Sequence, residues 1–409
     1  MRVDASSDRR VTESILSAVQ VGHPFLKGGR TIGQVSLSLD VLQISELVAV
    51  VALNGVITAA AETAMMEALE HAGGKGTRSI ILDFAGVSGM DSGGASVLVK
   101  FWVSSRSRHM SLVAAGLDSE MKDIFEMTEL DDVVSLYDNR SQALSAKGIS
   151  PEIPSSVSPK RLEVALETSS DVKRGGALHV AKPVQKLHVT KVLRSVSSLN
   201  VEGRRPVGPI RGFGQMWEKT YELRFPDSQR TPTEITATTK ENFVRFQPPQ
   251  NNFYPSPAGI RAGETVLIRS SVMGVPILTG VLVSYADDVS FTFMTPQGHP
   301  ESGWVTFRVF TEANITVCQI QGLARANDPL YEIAFRLHGS KFQEHTWMHV
   351  LESLARHLDV KGSVTMKKRL IAPNLQWSQV GNIRYNAELW TLGYLLIWPV
   401  RRVVRIFKK

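Results

Sequence analysis

Apolar and polar residues alternate from Val35 to Gln43, with Val35, Leu37, Leu39 and Val41 set against Ser36, Ser38 and Asp40. A period of two predicts a half-buried strand. Leu47 to Leu53 is a near-continuous β-branched run, the mark of a fully buried strand, and Asn54-Gly55 after it is a turn signal. Ala61, Met65, Met66 and Leu69 then recur at helical spacing within Ala59 to His71, and Gly73-Gly74 stops that helix. A second buried strand is predicted over Ser79 to Phe84. A helix follows on Ala95, Val97, Leu98 and Phe101, then a strand over Met110 to Ala115. A helix over Glu120 to Thr128, a short strand over Val133 to Tyr137 and a last helix over Gln142 to Ala146 complete the series. Strands alternating with helices predict an α/β layered domain. Too few residues separate the first two strands for a crossover, so they form a hairpin and the sheet is mixed.

The rhythm changes after residue 212. Strands are predicted at Tyr221 to Phe225, at Glu234 to Thr238, at Val266 to Ser270, across Val275 to Tyr285, and at Ser290 to Met294, Gly303 to Phe310 and Ile315 to Ile320. One long helix is predicted from Leu330 to Asp359, carried by Ile333, Phe335, Leu337, Phe342, Trp347, Val350, Leu351, Leu354 and Leu358. Antiparallel strands followed by a long helix predict a second domain of α+β class.

The division is into a flexible arm (1–34), an α/β domain (35–147), a basic linker containing Pro and Ser (148–210), an α+β domain (211–360) and a basic tail (361–409). Net charge supports it. The overall +7 separates into −5 for residues 1–148, +6 for 149–211, −3 for 212–360 and +9 for 361–409. Two mildly acidic domains with basic attachments do not make a nucleic-acid-binding core, and no specific nucleic acid is expected. The N-terminus lacks the apolar run of a signal peptide. The single cysteine, Cys318, excludes an internal disulfide and a multi-cysteine metal site. A cytoplasmic protein is expected. In the tail, Leu389 to Val400 is a 12-residue apolar run, too short to span a bilayer. Trp390, Tyr394 and Trp398 fall on one helix face beside Arg401, Arg402 and Arg405, which suits a helix lying in a headgroup layer on the inner face of a membrane. Packing of the run on the second domain, or at a dimer interface, fits the pattern equally.

The stretch Leu82-Asp83-Phe84-Ala85-Gly86-Val87-Ser88-Gly89-Met90-Asp91-Ser92-Gly93-Gly94 resembles the signature loop of STAS domains of the anti-sigma-factor-antagonist type. Met121 to Leu130 is similar to that family's third helix and its exit. The resemblance covers about a quarter of the chain and implies a mixed sheet with helices on one side. It also implies a partner-binding loop of Gly86, Val87, Met90, Asp91, Ser92, Gly93 and Gly94, with Ser92 as phosphoacceptor. The implied partner is an anti-sigma factor or a related serine kinase. Gly93 departs from the family, which carries Ser or Ala there. By chemistry alone Ser92 suits a plain helix N-cap, with its hydroxyl exposed at the loop. Phosphorylation there would add nearly two negative charges beside Asp91.

The second domain resembles the START-like (SRPBCC) superfamily, a helix-grip fold in which a curved sheet wraps one long helix. Met294 to Gly303, containing Gly298-His299-Pro300-Glu301, followed by Thr306-Phe307-Arg308-Val309, is similar to a hairpin in an uncharacterised bacterial family of that superfamily. The resemblance implies an apolar or amphipathic ligand held between sheet and helix. The candidate cavity residues are Phe291, Phe293, His299, Trp304 and Phe307. His299 and Glu301 alone suggest chemistry, and a tight turn fixed by Pro300 accounts for that segment too. No catalytic constellation, phosphate loop, metal cluster or cofactor motif is found. The expected function is therefore regulatory binding: phosphorylation-dependent partner switching joined to a hydrophobic-ligand domain. The competing reading is a START-like hydrolase or cyclase, with the STAS part as an unphosphorylated adaptor.

Overall fold

The computed structural model describes residues 35–74, 76–150, 158–165, 179–190, 197–226, 230–272 and 275–407. The expected N-terminal arm, 1–34, lies outside the described residues.

The first region holds β1 (Val35–Gln43), β2 (Val48–Ile57), α1 (Glu62–Ala72), β3 (Ser79–Met90), α2 (Ser92–Ser107) and β4 (Ser111–Ala115). It continues with α3 (Ser119–Thr128), β5 (Ser135–Tyr137), α4 (Arg140–Ala146) and β6 (Lys160–Ala165). Its sheet runs β5-β4-β3-β2-β1-β6. The β1–β2 hairpin is antiparallel and β2 through β5 are parallel, so the sheet is mixed. Alternation along the strands decides the layers. Ala49, Val51, Leu53, Ile80, Leu82, Leu112 and Ala114 face α1, α2 and α3, whereas Val48, Val50, Ile81, Val113 and Ala115 face Ala143 and Leu144 of α4. Helices on one side alone is therefore corrected: the last helix covers the opposite face, because the buried parallel strands are apolar on both faces.

Several boundaries also differ. Asn54-Gly55 is no turn; β2 continues to Ile57 through a register shift between Ala52 and Asn54, with Gly55 at φ 117°. β3 likewise runs on to Met90, so Gly86 and Val87 pair with Asn54 and Gly55 as strand residues. Part of the expected linker is a sixth strand, β6, antiparallel to β1 and anchored by a two-pronged Arg161–Asp40 contact at 2.8 and 2.9 Å. Ala181, Leu187 and Val189 of the same segment are buried.

The second region contains β7 (Met216–Pro226), α5 (Pro232–Asn242), β8 (Asn251–Tyr254), β9 (Thr265–Val272), β10 (Val275–Ala286), β11 (Ser290–Met294), β12 (Glu301–Glu312) and β13 (Ile315–Ala326). After them come α6 (Pro329–Ala334), a π-helical turn (Phe335–Gly339), α7 (Ser340–Leu358), β14 (Ser363–Ala372), a 3-10 segment (Trp377–Tyr385) and α8 (Ala387–Phe407). The separate eight-stranded sheet, β14-β7-β13-β12-β11-β10-β9-β8, is antiparallel throughout. Its inner face, with Tyr221, Val281, Phe293, Phe307 and Ile320, packs on Ile235 of α5 and on Val350, Leu351 and Leu354 of α7.

Residues 234–238, expected as a strand, lie in α5. The cause is local: Thr231 and Glu234 form a reciprocal capping box and Pro232 opens the first turn. The long helix expected over 330–359 is broken at the π turn into α6 and α7. The tail begins with strand β14, paired to β7 along its length. Its apolar run is helix α8, whose buried Thr391 accepts a hydrogen bond from the Leu278 amide at 3.2 Å. The tail thus packs on the second sheet while Leu389, Trp390, Leu392, Leu395, Leu396 and Ile397 stay exposed. Tyr394 is half-buried. Trp398, Arg401, Arg402 and Arg405 continue the helix, but their side chains lie outside the described residues. No helix among the described residues is long and apolar enough to cross a membrane.

Candidate functional site

Asp91, not Ser92, caps α2. Its carboxylate accepts from the Gly94 amide at 2.7 Å, and Ser92 is the first residue of the helix. The capping role read from sequence for Ser92 is corrected accordingly. Gly93 has a packing reason, since a side chain there would come within 2.8 Å of Ala59 Cβ. Met90, Gly93 and Gly94 are buried, Val87 is half-buried and Gly86 is exposed. The expected loop is thus strand end, cap and helix start, not one exposed surface.

Nor is Ser92 fully exposed. It is half-buried and lines a narrow, partly open gap of about 40 Å³ with Met90, Ala95, Met127, Tyr285, Met294 and Trp304. The last three belong to the second sheet. A single apolar cluster runs from Phe84, Leu98 and Ile124 of the first region to Leu267, Leu282, Met294, Trp304 and Leu323 on the outer face of the second sheet. α2 lies between the two sheets, and Gly93 through Val103 are all buried. Burial pushes the Asp91 carboxyl up to about 6, outweighing its bond to Gly94 and the attraction of Arg308.

Polar groups knit the same boundary. Trp304 Nε1 donates to Ser96 Oγ at 2.8 Å. Lys100, 3% exposed on α2, donates to Glu218 of β7 at 2.6 Å and to Glu62 of α1, and Arg369 of β14 pairs with both carboxylates. At the exit of α3, Glu129 stands at φ 61° and accepts from the Gly208 amide at 3.0 Å. Arg211 and Arg205 approach it to 3.2 and 3.6 Å, and Arg211 also pairs with Asp132. Burial still raises the Glu129 carboxyl to about 7. Sequence reasoning missed Ser96, Lys100, Glu129 and Glu218. A signal existed only for α2, whose Ala95 to Val103 run is apolar nearly all round, as a helix buried on two sides must be.

A second cavity, about 460 Å³, opens between the inner face of the second sheet and the α6–α7 segment. Phe293, His299 and Trp304 line it, with Trp217, Lys219, Tyr221, Thr279, Glu301, Phe335, Arg336, Gln343 and Trp347. Phe291 and Phe307 do not. They stack at 4.6 Å in the core beneath α5 and α7, because the cavity begins one residue pair nearer the Gly303 end of the sheet. The hydroxyls of Tyr221 and Thr279 are buried without a protein partner. Lys219 donates to Gln343 at 2.6 Å, and Gln343 donates to Glu301 at 2.7 Å. Burial lowers His299 to about 4 and raises Glu301. Nδ1 of His299 lies 3.1 Å from the backbone amide and carbonyl of Glu301, so the pair closes a turn. Among the described residues no group of three or more His, Cys, Asp or Glu is placed to hold a metal ion.

Residues 41–143 match the STAS domain. Among solved structures, the chain is similar to an anti-sigma factor antagonist from Mycobacterium paratuberculosis at 21% identity, covering 27% of this chain and 92% of that one with a TM-score of 0.23. It is similar to the unphosphorylated anti-sigma factor antagonist SpoIIAA at 14% identity, covering 27% and 96% with a TM-score of 0.23. A Thermus thermophilus protein aligns at 13% identity over 34% of this chain and 96% of its own, with a TM-score of 0.28. No curated protein matches the chain. The α/β region of this chain, over residues 41–143, is a STAS domain.

Proposed function

We propose that the protein is a regulatory binding protein in which the STAS domain undergoes phosphorylation-dependent partner switching at Ser92. The observation that carries this reading is the division of labour at the start of α2. Asp91 does the capping, so the Ser92 hydroxyl stands at the positive end of the helix with no structural duty as a cap. The partner is an anti-sigma factor or a related serine kinase. Incubation of the full chain with such a kinase and a nucleoside triphosphate tests it. One phosphate should map to Ser92 and vanish in Ser92→Ala, and labelling that persists in the variant rules Ser92 out.

The second region is read as a START-like helix-grip domain that binds a hydrophobic or amphipathic ligand. Support comes from the 460 Å³ cavity, its aromatic walls and the two partnerless buried hydroxyls, Tyr221 and Thr279. We read it as a binding site and not a catalytic one. Nδ1 of His299 is engaged by the Glu301 backbone, and burial keeps the imidazole neutral. The rival hydrolase or cyclase reading requires His299 or Glu301 to act on the ligand, and turnover lost in Glu301→Gln is its test. The exposed apolar face of α8, followed by basic residues, is read as a peripheral contact with the inner face of the membrane. Sedimentation with anionic vesicles checks that contact.

A further inference from the structure

We infer that the outer face of the second sheet is the resident partner of the Ser92 surface, and that this docking and a phosphate on Ser92 exclude one another. The inference rests on the reading of Ser92 as a phosphoacceptor.

Space is the first argument. The gap beside Ser92 between the two sheets is narrow, about 40 Å³, and partly open. A phosphate group and its hydration on that hydroxyl would crowd Tyr285, Met294 and Trp304 where they now stand. Charge is the second. The walls are largely apolar, and the added group carries nearly two negative charges. Asp91 adjoins it, and Asp287, which accepts from Tyr285 at 2.7 Å, adds its field to that of Asp91. Arg308 is a cation whose field reaches Asp91, and its guanidinium is engaged by Gln319 at 2.8 Å and stacked 4.5 Å over Phe310, while Lys240 is held on the Asp287 carbonyl. A half-buried dianion among apolar walls, with the nearby cations already engaged, is costly, so the two faces separate. In the transfer, Ser92 Oγ bonds to the γ-phosphorus of the nucleoside triphosphate. The nucleoside diphosphate leaves and the hydroxyl proton passes to the kinase's base.

The docked face also specifies what an external partner must look like. It must replace an indole over Ser96 and arginines at Glu129 and Asp132, as Trp304, Arg205 and Arg211 do here. An apolar patch flanked by arginines meets that demand and competes with the second sheet for the same ground.

The test is amide hydrogen exchange on the full chain at pH 7.5, comparing wild type with Ser92→Ala, Ser92→Glu and Asp132→Arg. The last variant sets two like charges together at the rim and leaves the core alone. Ser92→Ala should match wild type. Ser92→Glu and Asp132→Arg should each speed exchange about tenfold or more, jointly in residues 92–100 and in the facing 284–294 and 302–306, with the inner strands unchanged. Protection retained on both faces in both variants overturns the inference, and so does loosening confined to residues 92–100. Absence of kinase labelling alongside joint loosening would sink the phosphoacceptor reading and leave the docked surface standing.

Discussion

Trp304 Nε1 donates to the Ser96 hydroxyl across the boundary between the two sheets, and that hydroxyl donates in turn to the Ser92 carbonyl at 3.2 Å. A residue of the second sheet is thereby tied, through one side chain, to the backbone of the residue read as the switch. Trp304 also contributes to the wall of the 460 Å³ cavity. Ser96→Ala leaves a buried indole N–H without a partner and should cost about 1–3 kcal/mol. In a double-mutant cycle with Trp304→Phe the two losses should fall short of additivity by about 0.5–1.5 kcal/mol. Urea unfolding of the four proteins measures it, and strict additivity removes the tie.

Lys100 holds the two carboxylates of Glu62 and Glu218 at a position only 3% exposed. Lys100→Met keeps most of the side-chain volume but strands both acids, with Arg369 left to serve them. The expected loss is about 3 kcal/mol or more, read as a lowered unfolding midpoint. A surface charge change such as Lys122→Met, at an exposed position, should stay within about 0.5 kcal/mol.

The docked state should respond to pH. Burial raises Asp91 to about 6 and Glu129 to about 7, above their usual 3.8 and 4.5. Groups whose folded pKa is raised bind protons more readily in the folded, docked form. Their contribution is therefore full below about pH 4 and is lost as pH rises through 6 to 7. Exchange across the boundary, corrected for intrinsic rates, should be slower at pH 5.5 than at 7.5, and Glu129→Gln should flatten that difference. A boundary equally protected at both values contradicts the assignment.

Gly322 sits on the inner face of β13 opposite Val305, and an added Cβ there would meet nothing nearer than the Trp304 carbonyl at 3.9 Å. Gly322→Val should fill cavity space without straining the sheet. Any apolar molecule that accompanies the wild type in native mass spectrometry should be reduced about tenfold or more, with the unfolding midpoint unchanged or raised. Equal occupancy would place the ligand elsewhere.

Much of the first region was legible because its signals are local. The alternation of Val35 to Gln43 gave β1 at its observed ends, and Asp91-Ser92 marked the start of α2. Where a local rule was overlooked, the reading failed: the Thr-Pro-Thr-Glu capping box at 231–234 specifies a helix that alternation disguised as a strand. β6 and β14 (KRLEVA and SVTMKKRLIA) are polar edge strands whose pairing comes from distant partners, so no periodicity announces them. The covering of Ser92 was illegible for a deeper reason. It depends on Tyr285, Met294 and Trp304, nearly 200 residues or more away in the chain, meeting the cap of α2, and on ion pairs such as Lys100–Glu218 that leave no trace in either segment alone.

The most direct test is the rate at which a serine kinase labels Ser92 in the wild type and in Asp132→Arg, on full-length protein. The second sheet half-covers the site in the docked form, and a kinase needs more room than that gap leaves, so labelling should wait on opening. It should run faster in Asp132→Arg and stay near the wild-type rate in Asp132→Glu, which keeps the opposite charge across the rim to Arg211. Equal rates in all three proteins would contradict the account, because Ser92 would then be reachable without the two sheets parting.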